Sequence, residues 1–131
     1  MANYEATART NYFRVKDGPA FEEWCRVNHL DFWTEPVDGE SSYAVSGEDG
    51  WPSYNPDTGE DLYIHKENTK HLDPRDLAIF FEVGHEKLRY LAGCAIAVDP
   101  DGRTVTVNID DIYGKAKDAF GPQMTILDGV S

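Results

Sequence analysis

A chain of 131 residues in which 24 acids outnumber 12 bases, for a net charge of −12, is long enough to close one hydrophobic core and repels nucleic acid and anionic lipid. Direct DNA or RNA binding needs clustered Lys and Arg, and a bilayer span needs about 20 apolar residues in a row; the chain has neither. With 40% apolar residues it is also no disordered polymer, which leaves one compact domain over residues 1–131.

Residues 4–15 read as a strand, with Thr, Tyr, Phe and Val alternating with polar positions. Asp17 is placed to cap the following helix, with Pro19 in its first turn and Glu22 and Glu23 near its positive end. Phe21, Trp24, Cys25 and Asn28 fall at i, i+3, i+4 and i+7, an aromatic stripe that should end near His29. Residues 31–36 form a short strand with Phe32 and Trp33 on opposite faces. Val37-Asp38-Gly39-Glu40 is a turn, and residues 42–46 form the returning strand. The irregular stretch 47–60 holds Gly47, Gly50, Pro52, Pro56 and Gly59. Its Trp51 and Tyr54 predict that it folds back on the body. Residues 61–65 suggest another short strand. Residues 66–72 suggest a short helix, stopped before Asp73-Pro74.

Residues 77–83 are a β-rich run, Gly84-His85-Glu86-Lys87 a turn, and 88–98 a long strand with Gly93 as a bulge or close-packing point. Asp99-Pro100-Asp101-Gly102 is a strong turn signal. Residues 103–109 then alternate, with Val105, Val107 and Ile109 on one face. Asp110 or Asp111 caps a last helix whose apolar positions are Ile112, Tyr113, Ala116, Ala119 and Phe120, stopped by Gly121-Pro122; residues 123–131 form a loosely held tail. This order predicts an α+β fold: a mostly antiparallel sheet with a C-terminal three-stranded meander, and two or three helices packed on one face.

From residue 27 to residue 65 there is no Lys or Arg, while nine acids accumulate. Such a surface repels itself unless something basic meets it. The candidate partner-binding set is therefore Asp31, Glu35, Asp38, Glu40, Glu48, Asp49, Asp57, Glu60 and Asp61, with Trp33, Trp51 and Tyr54 as aromatic anchors among them. Phe32 and Tyr43 are expected in the core. The competing reading is a solvated acidic face. No metal or other cofactor is expected: His65 and His71 are six apart rather than four, and neither HExxH nor an EF-hand loop occurs. Enzyme motifs (GxSxG, P-loop, GxGxxG) are missing, so a binding protein is expected, with an enzyme of unrecognised site as the alternative. Cys25 and Cys94 lack CxxC spacing and suggest buried thiols in a reducing compartment. The first residues lack the basic and apolar regions of a signal peptide, which predicts the cytosol, and no membrane partner is expected.

Two stretches, residues 8–17 (Ala-Arg-Thr-Asn-Tyr-Phe-Arg-Val-Lys-Asp) and 86–93 (Glu-Lys-Leu-Arg-Tyr-Leu-Ala-Gly), together resemble small acidic proteins of phages, plasmids and other mobile elements. The resemblance runs over most of the chain and carries no catalytic signature. It implies an anti-defence role, anti-CRISPR or antirestriction-like. The expected partner is then the basic surface of a bacterial nucleic-acid-binding complex such as a CRISPR effector. A replication or transfer protein of a plasmid or phage is the alternative partner.

Overall fold

The computed structural model describes residues 5–86, 90–123 and 125–127, with the backbone alone at Tyr90. Strand β1 (Glu5–Thr10) turns Ala8 and Thr10 inward and Thr7 and Arg9 outward. The extended run expected to residue 15 leaves the ladder after Thr10. Asn11 takes the place of a ladder residue: its side-chain oxygen accepts from Ile79 N–H at 2.8 Å, and its Nδ2 donates to Leu77 C=O at 3.1 Å. The chain returns to pairing only at isolated bridges, Phe13 with Tyr43 and Val15 with Leu72.

Helix α1 (Gly18–Val27) starts as its sequence dictates. The Asp17 carboxylate accepts from Ala20 N–H at 3.1 Å, and Pro19 sits where a missing N–H costs nothing. Phe21 and Cys25 are fully buried, with Trp24 packed on the same cluster. The Phe21 and Trp24 rings enclose His71, and burial holds that imidazole below its ordinary pKa. At the C-terminal end, Leu30 N–H bonds Cys25 C=O at 2.9 Å and His29 N–H bonds Arg26 C=O at 3.2 Å. This is a Schellman closure, with His29 at φ 57° where glycine is usual.

Strands β2 (Asp31–Val37) and β3 (Glu40–Gly47) are joined by Asp38 and Gly39, both at positive φ, the two-residue turn whose twist suits a hairpin. The segment expected as a strand at 61–65 makes only the Asp61–Tyr54 bridge. Helix α2 (Ile64–Asn68) begins earlier than expected because Glu67 reaches back to accept from Tyr63 N–H at 3.0 Å.

Strand β4 (Ala78–Glu86) runs through the turn expected at 84–87. It is ladder-bonded on both sides, to β1 as far as Glu5–His85 and to β5 (Tyr90–Val98) as far as Glu86–Tyr90. Two ladders outweigh one local turn signal; Lys87, the end of that expected turn, lies outside the described residues. Strand β6 (Thr104–Asn108) follows the expected Asp99–Gly102 turn, in which Gly102 N–H bonds Asp99 C=O at 3.0 Å. Helix α3 (Asp111–Phe120) comes next. Asp111, not Asp110, uses its side chain there, accepting from Asn108 N–H at 2.8 Å.

Among the described residues the fold is α+β: a six-stranded antiparallel sheet ordered β2-β3-β1-β4-β5-β6, with three helices. One sheet face carries the core, where Phe13, Phe21, Leu30, Tyr43, Val45, Ile64, Leu72, Phe80 and Val98 meet. Helix α3 buries none of its residues. Of the expected tail, residues 124 and 128–131 lie outside the described residues, and Leu127 is 90% exposed. No described helix is long and apolar enough to cross a membrane.

Candidate protein-binding surface

The acidic loop is fastened at both ends. Gly47 ends β3 in a turn where any side chain would strike the Gly50 carbonyl, and Asp49 takes a positive φ of 57°. The Glu82 carboxylate on β4 then accepts from Trp51 N–H at 2.8 Å and holds the turn to the sheet. Further on, Leu62 N–H bonds Ser53 C=O at 3.0 Å, and Asn55 and Glu60 pair at 2.8 Å, so residues 53–62 close on themselves. Asn55 is buried and ties this loop to α1: its Nδ2 donates to Val27 C=O at 2.9 Å and to Asn28 Oδ1 at 3.1 Å. Its own Oδ1 accepts from Asp57 N–H at 2.8 Å and so sets the position of that carboxylate.

Between loop and helix lies a groove of about 230 Å³, lined by Asn28, His29, Glu48, Pro52, Tyr54 and Pro56. His29 Nε2 meets Asp57 Oδ2 at 2.8 Å across its edge. Glu48, Asp49, Glu60 and Asp61 are exposed on the same loop, and Tyr54 is 56% exposed among them. The carbonyl end of α1 points the same way and adds partial negative charge. Arg26, in its last turn, is occupied by Glu22 at 3.3 Å and Glu23 at 3.6 Å, with its guanidinium over the Phe32 ring. His29, left-handed like Asp38 and Asp49 and set so by the end of α1, stands at the edge of the groove.

The candidate residues do not form one continuous patch. Glu48, Asp49, Tyr54, Asp57, Glu60 and Asp61 share the fastened loop. Asp31, Trp33 and Glu35 alternate onto the face of β2 that also carries Arg9, since Asp31 pairs with Ser46 and Ser46 with Arg9. There Trp33 is a half-buried structural ring: its Nε1 donates to Tyr12 OH at 2.8 Å and the Arg9 guanidinium lies 5.0 Å from its centre. Asp38 is exposed at the hairpin tip. The Trp51 ring is half-buried, lies T-shaped on Phe80 at 5.3 Å and joins the layer around the core.

Glu40 is exposed, and its charge is paired. Arg14 reaches it at 2.7 Å and Arg75 at 3.1 Å, and hydrogen bonds from these two guanidinium groups hold its carboxyl below the ordinary range. Arg14 also grips Asp76, and Arg75 grips Asp73. This network stands beside a cavity of about 430 Å³ lined by Asn11, Tyr12, Asp38 and Leu77 among others. Sequence reasoning missed both this network and the His29–Asp57 pair. The charge run Asp73-Pro74-Arg75-Asp76 was a signal for the first, and nothing local marks the second. The Cys25 thiol is pushed up to about 12, by burial first and by Glu22 second, and is protonated at neutral pH.

Compared with protein-family models, with curated proteins and with solved structures, the chain matches none.

Proposed function

We propose that the chain is an acidic binding protein that occupies a basic groove on a nucleic-acid-binding complex. In the mobile-element setting its sequence suggests, it acts as an inhibitor of a bacterial defence complex of the CRISPR-effector kind. The observation that carries this reading is the fastened loop: Glu48, Asp49, Asp57, Glu60 and Asp61 are exposed around Tyr54 with no Lys or Arg among them. A loop held by Asn55 and Glu82 presents these charges without further ordering on binding. Carboxylates so placed compete for cationic side chains through the same electrostatics that attract phosphates. Tyr54 adds a rigid amphipathic anchor inside a charged rim.

The test is a pull-down from bacterial lysate with the tagged chain and with a fourfold variant, Glu48→Lys, Asp49→Lys, Asp57→Lys and Asp61→Lys. All four side chains are exposed; because Asp49 stands at positive φ and Asp57 meets His29, circular dichroism checks that the variant folds. The chain is expected to recover a nucleic-acid-binding protein at low salt. The variant is expected to bind it at least about tenfold more weakly, since each screened charge pair is worth roughly 0.2–1 kcal/mol. Equal recovery by the folded variant contradicts the reading.

A further inference from the structure

The cavity beside the Arg14–Arg75 network opens where β1 leaves the sheet. Strand β1 stops at Thr10, while its neighbours run on, β3 toward the hairpin tip and β4 back to Ala78. The gap of about 430 Å³ lies between residues 11–14, the β2–β3 tip and the start of β4. Its walls are tied to one another. Asn11 bonds both Ile79 N–H and Leu77 C=O, and Arg14 N–H bonds the Asp76 carboxylate at 2.7 Å. Tyr12 OH accepts from Trp33 Nε1 at 2.8 Å, which fixes the tyrosine ring. A cavity held in this way needs little ordering to receive a ligand.

The lining has two characters. Tyr12, Val37 and Leu77 are each 38–53% exposed, and Ile79 adds to the same apolar wall. Hydrocarbon that covers such a wall is removed from water along with it. The polar side is anionic. Glu40, Asp73 and Asp76 are held by only two guanidinium groups, those of Arg14 and Arg75. Asp38 lines the cavity as well, and its carboxylate makes no hydrogen bond or ion pair among the described residues. Four carboxylates against two guanidinium groups leave a charge of −2 here, in a chain of −12.

We infer that this cavity binds a cation carried on an apolar stem, an alkylguanidinium or alkylammonium group. Charge selects the head. Asp38 is the carboxylate left to meet it, and the surplus of the network opposes a carboxylate or phosphate. Arg75 Nη1 makes no bond, but its guanidinium is already shared by Asp73 and Glu40, so an anion gains less there than a cation gains at Asp38. The stem is selected by Tyr12, Val37 and Leu77, walls that a bare metal ion would leave unused. Two sources carry this chemistry: the Lys or Arg side chain of a basic partner, and a free amine or guanidine. The cavity stands at the far end of the β2–β3 hairpin from the acidic loop, about 20 Å along β3, so cation binding here is independent of that loop.

Titration of the full chain with butylguanidinium, followed by the amide NMR shifts of Asp38, Ser42 and Leu77, tests this. Binding is expected at about 1–20 mM, the range open to a ligand of so few atoms. Butylammonium is expected to move the same amides, and butanol and butyrate to bind at least about fivefold more weakly. Asp38→Asn removes the charge and keeps a residue that tolerates positive φ; it is expected to weaken butylguanidinium about fivefold with its unfolding midpoint kept. Leu77→Ala shortens an exposed wall and is expected to cost about threefold. No shift at these amides across that range, butyrate binding as well as butylguanidinium, or unchanged binding by Asp38→Asn overturns the inference. Should Asp38→Asn unfold the chain, the butyrate comparison decides alone. Capture from lysate separates the two sources: Asp38→Asn weakens it where a partner's side chain fills the cavity and leaves it unchanged where a free amine does. The fourfold Lys variant of the acidic loop, its charges lying beyond a screening length, should bind butylguanidinium as the native chain does, so this result and the loop result stand apart.

Discussion

Thr10 is fully buried, and its hydroxyl accepts from Val45 N–H at 2.9 Å, bridging β1 and β3 at a point where their ladder has run out. Thr10→Val keeps the shape and removes the acceptor, leaving a buried N–H without a partner. The expected cost is about 1–3 kcal/mol in urea unfolding. A loss under about 0.5 kcal/mol, the size of an ordinary surface substitution, contradicts this role. Nothing in the sequence marks Thr10, because its partner lies 35 residues away. Asp17, Phe21 and Cys25 were legible, because a helix cap and a helical stripe act within one or two turns of chain. His29 stands between these cases. Its helix end was readable, but its bond to Asp57 follows from a loop 28 residues later.

At the scale of elements, the β2–β3 hairpin and the β5–β6 turn were readable because Asp-Gly dipeptides bring their own conformation. The strand–turn boundary at residues 84–86 was misread because the decision was made by neighbours, β1 on one side and β5 on the other. The start of α2 was misread because Glu67, not a residue before the helix, satisfies its first free N–H. Gly39 offers a clean test of the first case. It sits at φ 80° with open space around it, so Gly39→Val meets no clash and suffers only the left-handed backbone. The expected loss is about 1–2 kcal/mol, with faster amide exchange confined to β2 and β3. Unchanged stability would mean that the hairpin is held by its strands and not by its turn.

At the scale of the whole molecule, the base-free span of the sequence separates into parts with different work. Glu40 anchors the Arg14–Arg75 network, Trp33 and Trp51 are packing rings, and Asp31 and Glu35 guard an edge. The acids of the loop from Glu48 to Asp61 stay exposed and meet no Lys or Arg of the loop itself, with Asp57 beside His29. The sequence showed where the acids are but not which of them the fold pairs, since that depends on cations brought from residues 14 and 75 by tertiary structure.

The central claim is that the loop competes with nucleic acid for a basic groove. Its most direct test is the dissociation constant of the chain for its captured partner, measured across a salt series with and without the partner's nucleic acid. The account predicts an affinity that falls steeply as salt rises, as screening of exposed charges requires, and a chain and nucleic acid that displace one another. A salt-independent affinity, or a stable complex holding both at once, would contradict it.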